Sequence, residues 1–155
     1  MSQIEAKLSA MGLHLPPPPP AGGIYQAVVI SGVHLYASGH GPFLSDGTFT
    51  KGIVGKDLDL EQAKEAAVAT GLSMLASMKA KLGNLDRVHR LVKTLGMVNS
   101  THEFQQQPQV INGFSELMRE LWGPELGVGA RSAVGMMLPI NLAVEIEAIF
   151  ELTPE

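Results

Sequence analysis

Two strand-forming segments near the C-terminus hold the residues best suited to chemistry. In Gly129-Ala130-Arg131-Ser132-Ala133-Val134-Gly135, an arginine opens an otherwise apolar strand. In Val144-Glu145-Ile146-Glu147-Ala148, two glutamates stand two apart and so share one face of a strand. Arg131 is either a structural ion-pair partner or an anion clamp, because its planar fork suits bidentate capture of a carboxylate. Of Glu145 and Glu147, one can be solvated while the other sits in a cleft.

Other templates fail. There is no GxxxxGK[ST], GxGxxG, HExxH or GxSxG, so the nucleotide-binding and common hydrolase motifs are missing. The five histidines, at 14, 34, 40, 89 and 102, are scattered rather than at ligand spacing, and no metal site is expected. With no cysteine, thiolate metal sites, disulfides and cysteine nucleophiles are excluded, and a cytoplasmic location is expected. Eleven Lys and Arg against fifteen Asp and Glu give a net charge of −4. That balance argues against a face that neutralises nucleic-acid phosphates. No secretory signal opens the chain and no apolar run approaches a membrane span.

The elements that must position these residues are legible from periodicity. A chain of 155 residues suits one domain. Residues 2–13 suggest a short amphipathic helix with Ile4, Leu8 and Met11 on one face. Pro16 to Pro20 follow as a polyproline strut, read as a rigid arm in preference to an SH3 or WW ligand. The expected division is residues 1–22 as helix and arm, and 23–155 as a single domain. Strands are expected over Tyr25–Ile30 and Val33–Ser38, joined at Ser31-Gly32, with a further short one at Thr48–Thr50. Leu60–Leu82 reads as a helix, N-capped by Asp59 with Gln62 in capping-box position and stopped by Gly83-Asn84. A strand over Val88–Val98 should place Leu91, Leu95 and Met97 on one face, with Lys93 sharing it only marginally. A helix over Gln107–Leu121 and strands over Ala130–Met137 and Asn141–Leu152 complete an α+β fold. It is expected as a mixed sheet of about six strands with two helices on one face. The opposite face mixes apolar and polar residues, which suggests burial in an oligomer.

At Ala130-Arg131-Ser132-x-Val134, Leu138-Pro139 and Val144-Glu145-Ile146-Glu147-Ala148-Ile149, the chain resembles the reactive intermediate deaminase family. That family is also called RidA or YjgF and was formerly labelled L-PSP endoribonuclease. Tyr25, Ser38-Gly39 and Asn112 are similar to further family positions, and the likeness spans roughly residues 23–152. The resemblance implies a chorismate-mutase-like fold and a homotrimer with clefts between subunits. It implies that Arg131 binds a substrate carboxylate and that Glu145 positions the attacking water. Tyr25, Ser38, Asn112 and the main chain at Ala133 would line the same cleft. The implied reaction is cofactor-free hydrolysis of enamines and imines such as 2-aminoacrylate to a 2-keto acid and ammonia.

The chain departs from the family pattern at Ile24, Ala133 and Gly135, in the longer loop Gly123–Gly129, and in its N-terminal helix and arm. His40 directly follows Ser38-Gly39 and either projects into the cleft or is a polar loop residue. Three functions are therefore weighed. The first is an imine/enamine deaminase acting on small 2-imino acids. The second is a non-catalytic trimer that binds a small carboxylate metabolite or 2-keto acid. The third, a ribonuclease or translation inhibitor, is disfavoured by the acidic balance and by the absence of a basic, aromatic face. Neither nucleic acid nor membrane is expected as a partner.

Overall fold

The first helix, α1 (Gln3–Ala10), is fastened to the body at both ends. Asp86 accepts hydrogen bonds from the backbone N–H groups of Gln3 and Ile4 at 2.8 and 3.0 Å, satisfying orphan donors of its first turn. Lys7 Nζ donates to the carbonyl of Leu121 at 2.6 Å. Ile4 and Leu8 are buried, as expected from their spacing, but Met11 is exposed. The helix ends at Ala10 and turns at Gly12, which has φ 70°, so the stripe stops one turn short of Met11. This computed structural model describes residues 2–154. From α1 the chain runs extended, with Pro16 buried, to Pro20 beside the sheet.

The sheet contains β1 (Val28–Ser31), β2 (His34–His40), β3 (Val88–Val98), β4 (Ala130–Gly135) and β5 (Val144–Leu152). Its spatial order is β1-β2-β5-β3-β4. Only β3 and β4 run parallel; the other neighbours are antiparallel. Helices α2 (Leu60–Leu82) and α3 (Gln107–Leu126) pack on each other and on one face of the sheet. The fold is α+β with a mixed sheet. It has five strands rather than about six, because residues 48–50 contribute only one isolated bridge, Phe49 with Phe43.

Helix α2 begins and ends where its caps dictate. Gln62 N–H donates to Asp59 Oδ1 and Asp59 N–H donates to Gln62 Oε1, both at 2.9 Å. Gly83 closes the helix at φ 78°, a conformation open to glycine without a Cβ penalty. Met74, Leu75 and Met78 are wholly buried against Phe114, Leu117 and Met118 of α3.

Of three register shifts in the sheet, between Val88 and Arg90, Leu91 and Lys93, and Ala37 and His40, the last two decide which side chains face which way at the candidate site. In β3 the register to β5 shifts between Leu91 and Lys93. Leu91 pairs with buried Phe150, whereas Lys93, Leu95 and Met97 pair with Ile149, Glu147 and Glu145 on the face away from the helices. Leu91 therefore does not share a face with Leu95 and Met97, because one extra residue inverts strand parity. The second bulge lies in β2 between Ala37 and His40.

Candidate functional site

The β2 bulge sets the site. Ala37 pairs with Ala148 and His40 with Ile146, so Ser38 and Gly39 occupy the space of one residue opposite β5. Gly39 comes so close to Glu145 that a Cβ built on it would stand 3.0 Å from the carboxylate carbon Cδ. A residue without a side chain is thus required for the carboxylate to lie where it does. Ser38 is tied down at both ends, its N–H donating to the Ala27 carbonyl at 2.9 Å and its Oγ to the Gln26 carbonyl at 2.6 Å.

Glu145 is half-buried on the helix-free face of β5. Among the described residues no hydrogen-bond donor reaches its carboxylate. Desolvation, and secondarily the charge of Glu147 two residues on, raise its pKa above the ordinary glutamate value. Such a carboxylate is suited to proton transfer nearer neutral pH.

Glu145 opens into a cavity of about 730 Å³. Ser38, Gly39 and Tyr25 stand with it, and Phe43, Phe49, Ile140 and Leu142 form the apolar remainder. The end of the arm, Pro20-Ala21-Gly22, supplies one rim. Tyr25 Oη accepts the N–H of Gly22 at 3.1 Å, which fixes that rim and leaves the phenolic hydrogen free to donate.

Arg131 lies elsewhere. It pairs in register with Thr94, whose side chain faces the helices, and Nη1 donates to Asn112 Oδ1 at 2.8 Å and Ser115 Oγ at 3.1 Å. The guanidinium is exposed, and among the described residues it has no carboxylate partner. Two neutral acceptors therefore orient a cation whose charge stays available to an anion. A second concavity of about 290 Å³ borders it, lined also by Arg119 and residues 127–129. Ala133 pairs with Gly96 on the same face and packs against the core.

Within one chain the sequence-nominated residues thus fall into two groups. Tyr25, Ser38 and Glu145 converge on the cavity, while Arg131 and Asn112 converge at the β4 edge on the other face, with β3 between them. His40 joins neither group. It is buried, and its ring points under the bulge to the core. Nδ1 is 2.6 Å from the Ser38 carbonyl and Nε2 is 2.9 Å from Ser77 Oγ. The carbonyl can only accept, so Nδ1 carries the hydrogen and Nε2 accepts from Ser77. Burial lowers the His40 pKa despite that carbonyl, which keeps the ring neutral.

Ser115, Phe43, Phe49 and Ile140 were not nominated from sequence. Ser115 had a signal, since it stands three residues from Asn112 on one helix face. The two phenylalanines flank the Asp46-Gly47 turn, a pattern that reads as an ordinary hairpin. Among the described residues no cluster of three metal-ligating side chains occurs, and no helix is long and apolar enough to cross a membrane.

Residues 5–149 match the family model described as "YjgF/chorismate mutase-like, putative endoribonuclease". Protein TCP17 of Trypanosoma cruzi is 38% identical over 151 residues, covering 97% of this chain and 94% of that protein. The crystal structure of Atu1372 from Agrobacterium tumefaciens, a protein of unknown function, superposes with a TM-score of 0.87 at 42% identity, over 96% of this chain and 91% of that one. A "putative endoribonuclease" from Shewanella oneidensis superposes with a TM-score of 0.91 at 28% identity, over 96% and 99% of the two chains.

Proposed function

Because the chain belongs to the YjgF/chorismate mutase-like family, we propose that it hydrolyses 2-imino acids, and the enamines that tautomerise to them, to 2-keto acids and ammonia. The observation that carries this reading is the unpartnered Glu145 carboxylate with its raised pKa, held against Gly39 in a cavity large enough for a substrate.

The chemistry needs little machinery. Glu145 removes a proton from water as the water oxygen bonds to the imine carbon, the C=N π electrons move to nitrogen, and Glu145 passes that proton to the nitrogen. The resulting carbinolamine collapses: Glu145 takes the hydroxyl proton, the C=O forms, the C–N bond breaks, and Glu145 passes this second proton to the departing ammonia. One water is consumed and one ammonia released, with no change of oxidation state. General acid–base assistance of this kind is worth ~10²–10⁴ in rate. A charge-assisted clamp on the substrate carboxylate contributes roughly 1.5–3 kcal/mol.

Arg131 suits that clamp, but in one chain it stands on the other side of the sheet from Glu145. The reading therefore includes a homotrimer in which Arg131 of one protomer completes the cavity of the next. Exposed apolar side chains on the helix-free face and the β4 edge, among them Val29, Tyr36, Val134 and Met136, support association of copies.

The test generates 2-aminoacrylate enzymatically and follows keto-acid release with wild type, Glu145→Gln and Arg131→Ala. Acceleration by wild type, reduced about 10²-fold or more in Glu145→Gln, is expected. Release no faster than the spontaneous rate with several imino acids sinks the hydrolase reading. Saturable 2-keto acid binding that persists in its place would mark a carboxylate-binding protein.

A further inference from the structure

The segment leading into β5 contains an unusual turn. Ile140 has φ 48° and ψ 26°, and Asn141 has φ 59°. Asparagine tolerates the left-handed region, but a β-branched isoleucine is strongly disfavoured there. Such a conformation persists only where the surroundings over-determine it, and here they do. Gly52 N–H donates to the Asn141 carbonyl at 2.9 Å. Asn99, buried at the end of β3, donates from Nδ2 to Asn141 Oδ1 at 3.0 Å and to the Gly52 carbonyl at 3.3 Å. Leu142 N–H closes the turn on the Pro139 carbonyl at 3.1 Å.

The clamp holds Ile140 61% exposed at the wall of the Glu145 cavity. Phe43 and Phe49 stand in the same wall, their ring centroids 5.1 Å apart and tilted, with Leu142 beside them. The cavity is thus divided. Glu145, Ser38 and Tyr25 make a polar end, and the two rings with Ile140 and Leu142 make an apolar end. At about 730 Å³ it falls in the upper part of the roughly 300–1,000 Å³ range of small-molecule pockets. A three-carbon imino acid beside Glu145 would reach little of that apolar wall.

Resting on the hydrolase reading above, we propose that the preferred substrates carry a large apolar substituent on the imine carbon, of benzyl or isobutyl size. Ile140 is the specificity-determining residue, and Asn99 with Asn141 positions it. The apolar substituent fills the end bounded by Phe43, Phe49 and Ile140 while the C=N carbon stays beside Glu145.

The experiment uses the full chain. An L-amino-acid oxidase generates the imines of phenylalanine, leucine and alanine, and kcat/KM is read from keto-acid release. Wild type is expected to favour the phenylalanine or leucine imine at least 10-fold over that of alanine, since each methylene in an apolar pocket discriminates roughly 10- to 200-fold. Ile140→Ala should lower that ratio, and Ile140→Leu, which restores bulk, should recover it. Asn141→Gly keeps the backbone conformation accessible but removes the Asn99 contact, and should raise KM for the large imines more than it lowers kcat.

A binding arm separates the two readings. Phenylpyruvate and pyruvate are titrated calorimetrically into wild type and Ile140→Ala. Tighter phenylpyruvate binding that Ile140→Ala weakens supports the proposal even if no imine is turned over, in which case only the hydrolase reading fails. Turnover with equal kcat/KM for alanine and phenylalanine imines overturns the proposal and leaves the hydrolase reading standing. Equal affinity of wild type for both keto acids overturns it as well.

Discussion

Glu145 and Glu147 stand on one face of β5 with a single residue between them, and only the first is half-buried in the cavity. Burial and the neighbouring charge both disfavour ionised Glu145. A general base must be ionised to act, so activity should rise with pH along a limb set by the raised pKa. Replacing Glu147 by Gln removes a like charge, which favours ionisation and lowers that pKa. The acid limb of kcat/KM for Glu147→Gln should therefore move to lower pH, and a limb moving upward or not at all would separate Glu145 from the observed titration. Gly39 offers a second test at this scale. A Cβ there would meet Glu145 Cδ at 3.0 Å, and the flexible carboxylate is what must yield. Gly39→Ala should leave the thermal midpoint nearly unchanged while kcat/KM falls by up to about 10²-fold, the usual cost of ångström-scale misplacement. An equal drop in stability and activity would instead make Gly39 a packing residue.

At the scale of elements, the site depends on how closely α2 and α3 can approach while the sheet keeps its bulges. Gly113 of α3 lies against the backbone of α2, so that a Cβ would come 2.3 Å from the Lys64 carbonyl oxygen. Backbone cannot step aside as a side-chain tip can. Gly113→Ala should destabilise the fold by roughly 1–3 kcal/mol, as overpacking does, read as a lower denaturation midpoint with an unchanged m-value. The limits of α2 were legible because Asp59, Gln62 and Gly83 are local signals that act within one turn. So was the alternation of β5, where Val144, Ile146, Ala148 and Phe150 are all buried. The bulges were not. Nothing in Leu91-Val92-Lys93 announces that an extra residue will be accommodated, because the register is set by β5 across the sheet. The same applies to His40, which follows two cavity residues in sequence but is turned by the β2 bulge toward Ser77 of α2. Phe43 and Phe49 escaped notice for a related reason, since it is the fold of the 43–49 loop that brings both rings to one wall.

For the molecule as a whole, the decisive fact is that Arg131 and Glu145 lie on opposite faces of one sheet. Thr94 pairs with Arg131 and Met97 with Glu145, so β3 separates the two side chains and their strand directions cannot bring them together without unfolding the sheet. A cleft containing both must draw on two copies joined head to tail, with one surface giving the arginine and another the glutamate. Closed rings follow naturally from such heterologous contacts. The proposed shared cleft would have a consequence that no single-chain site shares. Arg131→Ala and Glu145→Gln homo-oligomers should each be nearly inactive. When the two variants are co-expressed and assemble at random, some interfaces receive the intact arginine from one chain and the intact glutamate from the other. In an equal mixture roughly a quarter of the interfaces are of that kind, and activity should recover to about that fraction of wild type. A mixture as inactive as its components, with mixed assembly verified by mass, would show that Arg131 and Glu145 do not serve one site.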